Sequence, residues 1–339
     1  MNKKAFGILA GVLGIITVVF IALGFMFNKP DNKKQEGLTE LFDVSVDGLL
    51  AVVKYDKGKA GIYLSGANAE PVVQLPVEQT IMDISFSEDG HVIAYVVSDK
   101  ELNASSGSSI HLFELRTATD QVVLSADSII TELAFDKKNP DKLIYLQADV
   151  FTNYSPITGA RPHDFDVHGY DLTSGEQTRY TEMQKYSMQS LQVSATDESV
   201  YIQMNDDEDA KSADDLFASY QRIFKIPLHA PNEKEIISNP ASEEDIYDFL
   251  VLPDRDEMIY QAVGGTSSSG TFEYELFSYN WESDETVQLT NLKEYAAKPV
   301  QGKDGKIYFL VDLKFAKRNP EYRIYKMDLD GKNIVEVLK

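Results

Sequence analysis

The chain has 339 residues, of which 43% are hydrophobic and 11% aromatic, and its formal net charge is −22 at neutral pH. This composition supports a packed core and is unlike that of a disordered chain. The absence of cysteine excludes disulfides, thiolate metal sites and cysteine nucleophiles. The strong negative charge argues against nucleic acid as a partner, because phosphates would be repelled.

The N-terminal segment has the pattern of a membrane anchor. Residues 5–27 contain no charged side chain, and a helix of that length spans about 34 Å, compared with about 30 Å for the core of a bilayer. We predict a cytoplasmic tail at 1–4, a single-pass signal-anchor helix at 5–27 and a polar stalk at 28–38. The rest of the chain is then expected on the extracytoplasmic side of the cell membrane. Gly7 and Gly11 lie four residues apart, which allows a weak homodimer through close helix packing.

After residue 38 the sequence consists of short alternating apolar runs separated by turn-forming residues, a pattern that predicts β-strands. The same order of four strands recurs with a period of about 50 residues, which is typical of four-stranded repeats. The second strand of most repeats is apolar at consecutive positions, as expected for a sheet that is covered on both faces. The six predicted repeats lie at 39–76, 77–125, 126–182, 183–239, 240–291 and 292–339.

The second repeat shows the pattern most clearly. Its string ISFSEDGHVIAY, from Ile84 to Tyr95, resembles the repeat of bacterial TolB-like and WD40-like propellers, although Glu88 stands where that family has proline. The resemblance implies an all-β, six-bladed β-propeller over residues 39–339. It also implies a binding or scaffold domain in preference to a catalytic one.

Three repeats carry an Asp-Gly pair between the first and second strands. Glycine tolerates the positive φ of such a turn and aspartate caps it, so we assign these pairs a structural role. The pairs are Asp47-Gly48, Asp89-Gly90 and Asp304-Gly305.

The third repeat contains the longest predicted loop, Ala148–Val167. Side chains in and next to it, His163, Asp164, Asp166 and His168, are of types that ligate metals. Their spacing matches no specific metal motif, so they are weak candidates beside the alternative of an ordinary polar loop. We therefore predict no metal and no cofactor.

Three other loops have distinctive composition. The acidic run Asn205–Asp215 has carboxylates suited to Ca²⁺ but lacks the glycine and final glutamate of an EF-hand loop. Gly264–Gly270 lacks the lysine of a phosphate-binding loop. Leu313–Pro320 is a basic loop in an acidic domain and is suited to an acidic partner or to anionic headgroups. For all three, a solvated loop is the simpler interpretation.

Neither a G-x-S-x-G elbow nor an H-E-x-x-H helix is present, and both are common signatures of hydrolases. We predict a membrane-tethered, non-catalytic binding or assembly module that meets other proteins or envelope components at the propeller rim. Two alternatives stay open. One is a propeller enzyme, either a metal-dependent lactonase or a glycan-active hydrolase. The other is a sensor domain coupled to a membrane partner.

Overall fold

The computed structural model describes residues 3–27, 33–66, 70–153, 159–208, 210–239 and 242–338. In these ranges an N-terminal helix precedes a series of β-strands, and one short second helix interrupts them. The predicted all-β domain is therefore confirmed. The predicted tail at 1–4 and stalk at 28–38 lie partly outside the described residues.

Helix α1 runs over Lys3–Phe27. Its apolar side chains from Val12 to Leu23 are exposed, and Phe20 for example is 69% exposed. Among the described residues, no helix combines the length and the apolarity that crossing a membrane requires, so the predicted span over residues 5–27 is not confirmed. The homodimer through Gly7 and Gly11 stays a prediction.

Within the described ranges, the strands follow one another in six consecutive groups of four, which we call units 1 to 6. Unit 1 contains β1 (Gly37–Val44), β2 (Leu50–Asp56), β3 (Lys59–Leu64) and β4 (Val73–Gln74). Unit 2 contains β5 (Gln79–Phe86), β6 (Val92–Asp99), β7 (Ser108–Glu114) and β8 (Thr119–Ala126). Unit 3 contains β9 (Ile129–Phe135), β10 (Lys142–Asn153), β11 (Ala160–Asp171) and β12 (Gln177–Arg179).

The second half of the chain repeats this order. Unit 4 contains β13 (Met188–Val193), β14 (Ser199–Asn205), β15 (Gln221–Pro227) and β16 (Glu235–Ile236), with helix α2 (Ala213–Ala218) between β14 and β15. Unit 5 contains β17 (Tyr247–Leu252), β18 (Glu257–Thr266), β19 (Phe272–Asn280) and β20 (Glu285–Gln288). Unit 6 contains β21 (Tyr295–Gln301), β22 (Ile307–Asp312), β23 (Tyr322–Met327) and β24 (Val335–Leu338).

Units 1 to 4 are separate four-stranded antiparallel sheets, whereas units 5 and 6 belong to one eight-stranded sheet. A single parallel contact between Tyr274 and Tyr295 joins them. Units 5 and 6 join because β20 is short and pairs only with Phe277–Asn280 of β19. The first half of the β19 edge is left open, and the start of β21 pairs with it.

The first strands form a closed ring. Each of β1, β5, β9, β13 and β17 contacts the first strand of the next unit, and β21 contacts β1. In the part of the chain that the structure describes, the hydrophobic core consists of six clusters, each between two neighbouring units. Burial is thus achieved by packing each sheet on two neighbours, as in radially arranged repeats.

The closure between unit 6 and unit 1 differs from the other interfaces. In the described residues, the sheet of unit 1 contains only strands from the N-terminal part of the ring and that of unit 6 only strands from its C-terminal part. Neither sheet therefore contains a strand from the other end. Among the described residues, its cluster contains 7 buried hydrophobic residues, whereas the cluster between units 1 and 2 contains 13. The hydroxyl of Tyr322 donates to Glu40 Oε1 across this seam at 2.6 Å.

Candidate binding site in the central channel

The ring of first strands encloses a channel of about 710 Å³. One end of the channel lies where the first strands begin, and we call it the entry end. The other end carries the turns between the first and second strands, and we call it the turn end. Every unit contributes its first strand to the channel wall. A side chain that points from one of these strands toward the channel axis therefore faces side chains from several units.

Each of the six first strands carries a bulge or irregularity in its pairing with the second strand. A bulge inserts extra residues into one strand and re-aims their side chains. Ser190 and Lys298 lie in two of these bulges with φ of 59° and 51°, a left-handed conformation that is uncommon for residues other than glycine. The bulges therefore bring polar side chains to one level near the entry end.

Four acidic residues and one lysine line the channel at this level, and we call them the carboxylate–lysine ring. They come from units 1, 2, 3, 5 and 6, and they are Glu40, Asp83, Glu132, Asp248 and Lys298.

Donors from neighbouring units hold the carboxylates in place. Asp83 Oδ2 accepts from the Leu133 amide at 2.9 Å. The two oxygens of Glu132 accept from the amides of Ser190 at 2.9 Å and Leu191 at 2.6 Å, and Asp248 Oδ1 accepts from the Ser190 hydroxyl at 3.1 Å. These hydrogen bonds fix the positions of the carboxyl groups in the wall before any ligand arrives.

Lys298 is the positive member of the ring. Among the described residues, no carboxylate lies within 4 Å of its ammonium group and no hydrogen bond to that group is formed. Burial tends to lower the pKa of Lys298, but the charges of Asp248, Glu132 and the other ring carboxylates outweigh it and raise the pKa overall. The lysine therefore stays charged near neutral pH without belonging to any one carboxylate.

The ring carries more negative charge than Lys298 offsets. Burial, reinforced by the charge of Glu132, raises the pKa of Asp83 to about 8. Burial also raises the pKa of Glu132, although the amides of Leu191 and Ser190 oppose the shift. Carboxyl groups with raised pKa values in a cleft are often found at functional sites.

An aromatic cluster lies beside the ring at the entry end of units 5 and 6. The rings of Tyr295 and Phe315 stack at 4.5 Å between centroids. Tyr274 meets both of them edge to face at 5.2 and 5.4 Å, and Tyr247 meets Tyr274 at 6.1 Å. Tyr247 directly precedes Asp248 in the sequence, so the cluster adjoins the ring.

The turn end is narrowed by an ion pair. Lys303 of unit 6 lies 3.7 Å from Glu88 of unit 2. The three Asp-Gly pairs occupy this end, and Gly48, Gly90 and Gly305 have φ of 78°, 72° and 72°. Asp89 caps its own turn, because its Oδ1 accepts from the Ser87 hydroxyl and from the His91 amide. Asp304 likewise accepts from the Lys306 amide at 3.1 Å; for Asp47 the structure shows only its place in the turn before Gly48.

The long loop predicted at Ala148–Val167 is wrong in large part. Residues 142–153 and 160–171 pair as β10 and β11 in one antiparallel hairpin, in register from Lys142–Asp171 to Asn153–Ala160. The polar residues in this stretch alternate with apolar ones, and the pairing of their backbone groups stabilises a strand where the composition favoured a loop.

The four weak metal candidates do not converge. His163 contacts Asp164 at 2.7 Å, and His168 stacks on Tyr145 at 5.5 Å. Burial lowers the pKa of His168, with a smaller contribution from a nearby arginine. No group of three or more potential metal ligands occurs within the described ranges.

Asp166 has a structural role. It is fully buried, and its Oδ1 accepts from the Thr181 hydroxyl at 2.5 Å and from the Met183 amide at 2.6 Å. Arg179 pairs with Oδ2 at 2.5 Å. Asp166 therefore fixes the connection from unit 3 to unit 4 and is not available to a metal.

The other distinctive loops have local partners. In the acidic run, Ser212 and Asp215 hydrogen-bond to each other at the start of α2. Gly264 and Gly265 belong to β18, and Gly270 closes a turn by donating to the Ser267 carbonyl at 3.0 Å. In the basic loop, Lys314 pairs with Glu321 at 2.7 Å.

Sequence reasoning missed the carboxylate–lysine ring. Its members are isolated charged residues in largely apolar first strands, as in Met82-Asp83-Ile84 and Thr131-Glu132-Leu133. The sequence of one strand, taken by itself, does not distinguish these residues from other polar residues. The signal that could have found them is their recurrence in the same strand of successive repeats.

No family model matches the sequence, and no curated protein matches it. Among solved structures, the chain is similar to an oligogalacturonate lyase in complex with manganese (TM-score 0.57, 15% identity, covering 90% of this chain and 78% of that one). It is also similar to TolB from Acinetobacter baumannii (TM-score 0.54, 12% identity, 94% and 67%). A third similar structure is the β-propeller domain of the Trilobed protease from Pyrococcus furiosus, whose topology is described as open velcro (TM-score 0.50, 15% identity, 91% and 84%).

These similarities establish a β-propeller fold. The chain also matches an AtxE2 isopeptidase and a puromycin-hydrolyzing peptidase of Mycobacterium tuberculosis, of which it spans only 51% and 43%. The similar proteins include enzymes as well as TolB, so fold similarity alone does not separate catalysis from binding.

Proposed function

We propose that this protein is a non-catalytic binding module, a six-bladed β-propeller whose entry end binds a positively charged segment of a partner protein. The six units are the proposed blades. The observation that carries the proposal is the carboxylate–lysine ring, which contains four acidic residues and one lysine at the level of the bulges.

The ring supplies a preorganised negative field, to which Asp83 adds its charge only when it loses its proton, because its pKa is raised to about 8. Its carboxylates are already hydrogen-bonded, so they need little rearrangement to meet a cation, and the low-dielectric walls of a channel strengthen their field. The net charge of −22 adds long-range attraction, which raises the rate of encounter with a basic partner.

The aromatic cluster completes the proposed site. Aromatic faces attract ammonium and guanidinium groups, and they also pack against the apolar stems of lysine and arginine. A lysine or arginine that enters the ring past Tyr295 and Tyr247 would therefore contact both features.

Membrane association through residues 5–27, with the propeller on the extracytoplasmic side, is part of the same proposal. It is supported by the absence of charged residues at 5–27 and by the apolar side chains that α1 leaves exposed in the structure. A large apolar surface of this kind usually marks contact with a membrane or with another protein. The test is alkaline extraction of cell membranes followed by protease treatment of intact wall-stripped cells. Retention in the membrane pellet with digestion of the propeller supports the proposal, and release into the soluble fraction contradicts it.

Fluorescence anisotropy with a labelled probe peptide of Lys, Arg, Tyr and Ser tests the binding site. The peptide is titrated against the full chain and against the triple variant Asp83→Asn, Glu132→Gln and Asp248→Asn. We expect the triple variant to bind at least ten-fold more weakly, which corresponds to about 1.4 kcal/mol. Affinity for the unchanged protein should fall as salt is added, because screening weakens charge interactions.

A matched control separates the ring from the overall charge. Glu176, Glu282 and Glu285 are exposed and lie outside the channel. The triple variant Glu176→Gln, Glu282→Gln and Glu285→Gln removes the same number of acidic residues. If this control binds as weakly as the ring variant, the ring is not the site.

One observation favours an enzyme as the second candidate. Asp83 and Glu132 face the channel with raised pKa values, and such carboxyl groups serve as general acids in glycan-active enzymes. Turnover of a panel of glycans and lactones that is abolished by Asp83→Asn would support catalysis. A panel without turnover, together with tight peptide binding, supports the binding module.

A further inference from the structure

A second pocket of about 450 Å³ opens beside the entry end of the channel. It lies between the β10–β11 hairpin and residues 186–189, which lead into β13, and it reaches the bulge of β9. Its volume is within the range that small-molecule sites commonly have, roughly 300–1,000 Å³. The side chains that matter for its chemistry are Thr131, Glu132, Arg161, Phe165, Tyr186 and Met188.

The floor of the pocket is apolar and rigid. Phe165 is 6% exposed and Met188 is 2% exposed, and Pro162 lies beside them in the lining. The backbone of Phe165 is bonded in both directions to Lys185 at 2.8 and 3.1 Å, so the two walls are tied together at the floor. Such a floor is suited to an apolar side chain.

Arg161 supplies a positive charge at one side. Its guanidinium lies 5.6 Å from the centre of the Tyr186 ring, which fixes its position by a cation–π contact. Among the described residues it forms no ion pair and no hydrogen bond. In a chain of net charge −22, an arginine left without a carboxylate partner is available to an anionic group of a ligand.

Glu132 and Thr131 supply hydrogen-bond acceptors on the side of the pocket opposite Arg161. The oxygens of Glu132 accept two backbone amides, so the carboxylate is fixed in place but not neutralised by a cation within 4 Å in the described part of the chain. Thr131 Oγ1 is buried and has no hydrogen-bond partner among the described residues. A buried hydroxyl without a partner is costly, and a ligand donor would remove that cost.

We propose that this pocket binds a zwitterion with an apolar body, of the class of a large apolar amino acid or a dipeptide. The ligand carboxylate meets Arg161, its ammonium group meets Glu132 and Thr131, and its side chain covers Phe165 and Met188. The pocket shares Thr131 and Glu132 with the wall of the channel, so the two proposed sites adjoin. The proposal does not rest on the basic-peptide site, because Arg161 does not belong to the carboxylate–lysine ring.

Calorimetric titration of the full chain tests the proposal with named probes. The probes are L-phenylalanine and L-leucyl-L-phenylalanine, with phenylalaninamide lacking the carboxylate and 3-phenylpropionate lacking the ammonium group. We expect at least one zwitterion to bind, and each single-charge analogue to bind at least ten-fold more weakly than phenylalanine or the dipeptide. No binding by either zwitterion, or equal binding by the analogues, overturns the proposal.

Two variants and one control locate the binding. Arg161→Gln and Thr131→Val should each weaken the best zwitterion several-fold, whereas Arg116→Gln, a change at an exposed arginine outside the pocket, should not. Unchanged melting curves establish that the variants fold. Arg161→Gln should leave binding of the Lys/Arg probe peptide unchanged, so failure of the two proposals is distinguishable. Wild-type affinity of Arg161→Gln for the zwitterion overturns the assignment.

Discussion

Gly90 allows a stability prediction whose size follows from the geometry of its turn. Its φ of 72° is unfavourable for an L-residue by about 1–2 kcal/mol. A Cβ added to Gly90 would also lie 2.8 Å from Val46 Cγ1 and 3.3 Å from Ser45 Cβ of the neighbouring unit. Forcing atoms into a packed interface adds about 1 kcal/mol or more. We therefore expect Gly90→Ala to lower the free energy of unfolding by about 2–3 kcal/mol, and Gly90→Val by more.

Gly305 is the matched control. It has the same φ of 72°, but no atom of the residues that the structure describes lies within 4 Å of an added Cβ. Gly305→Ala should therefore cost only the backbone contribution of about 1–2 kcal/mol. Urea unfolding followed by circular dichroism measures both variants. Equal losses for Gly90→Ala and Gly305→Ala would refute the packing argument, and no loss for either would refute the argument from backbone conformation.

The remaining predictions concern titration, a buried carboxylate and the seam. Folding raises the pKa of Asp83 from an ordinary value of 3.8 to about 8. Because the folded state holds the proton more tightly, the free energy of unfolding falls as pH rises from about 4 to 8. Asp83→Asn should flatten this part of the profile of stability against pH. Asp166→Ala should cost about 1–3 kcal/mol in urea unfolding, because it leaves the buried Thr181 hydroxyl and the Met183 amide without their acceptor. Tyr322→Phe removes the hydroxyl that reaches Glu40 and should cost about 1 kcal/mol, with faster amide exchange in β1 and β23 than elsewhere.

Each of these predictions has an outcome that contradicts it. A profile for Asp83→Asn that runs parallel to that of the unchanged protein would show that Asp83 does not titrate in this range. Full stability of Asp166→Ala would show that the connection between units 3 and 4 does not depend on it. Uniform amide exchange in the Tyr322→Phe variant would show that the seam is no weaker than the other interfaces.

The sequence predicts the features that depend only on a few consecutive residues, such as turns and buried strands. The turn at Asp89-Gly90 follows from the conformational freedom of glycine, and the buried second strands, such as Ile307–Asp312, follow from consecutive apolar residues. The β10–β11 hairpin was mistaken for a loop because His163, Asp164 and Asp166 are polar, whereas their backbone groups pair across the hairpin.

The candidate site depends on pairing between distant segments. A bulge exists only relative to the register of a partner strand, so the sequence around Lys298 does not reveal that its side chain leaves the pleat. The ring also combines residues that are far apart in the sequence, such as Glu40 and Lys298. Only the closure of the six first strands places these two residues in one channel.

The entry of a cation into the carboxylate–lysine ring is tested most directly by the protons that binding releases. Asp83 is partly protonated near pH 7.5 because its pKa is raised to about 8, and a positive charge bound beside it lowers that pKa. Calorimetry of the Lys/Arg probe peptide in phosphate and in Tris at pH 7.5 reports the proton count through the different ionisation enthalpies of the two buffers. We predict net proton release, which Asp83→Asn reduces. Equal enthalpies in the two buffers, or proton uptake, would contradict binding of a cation in the ring.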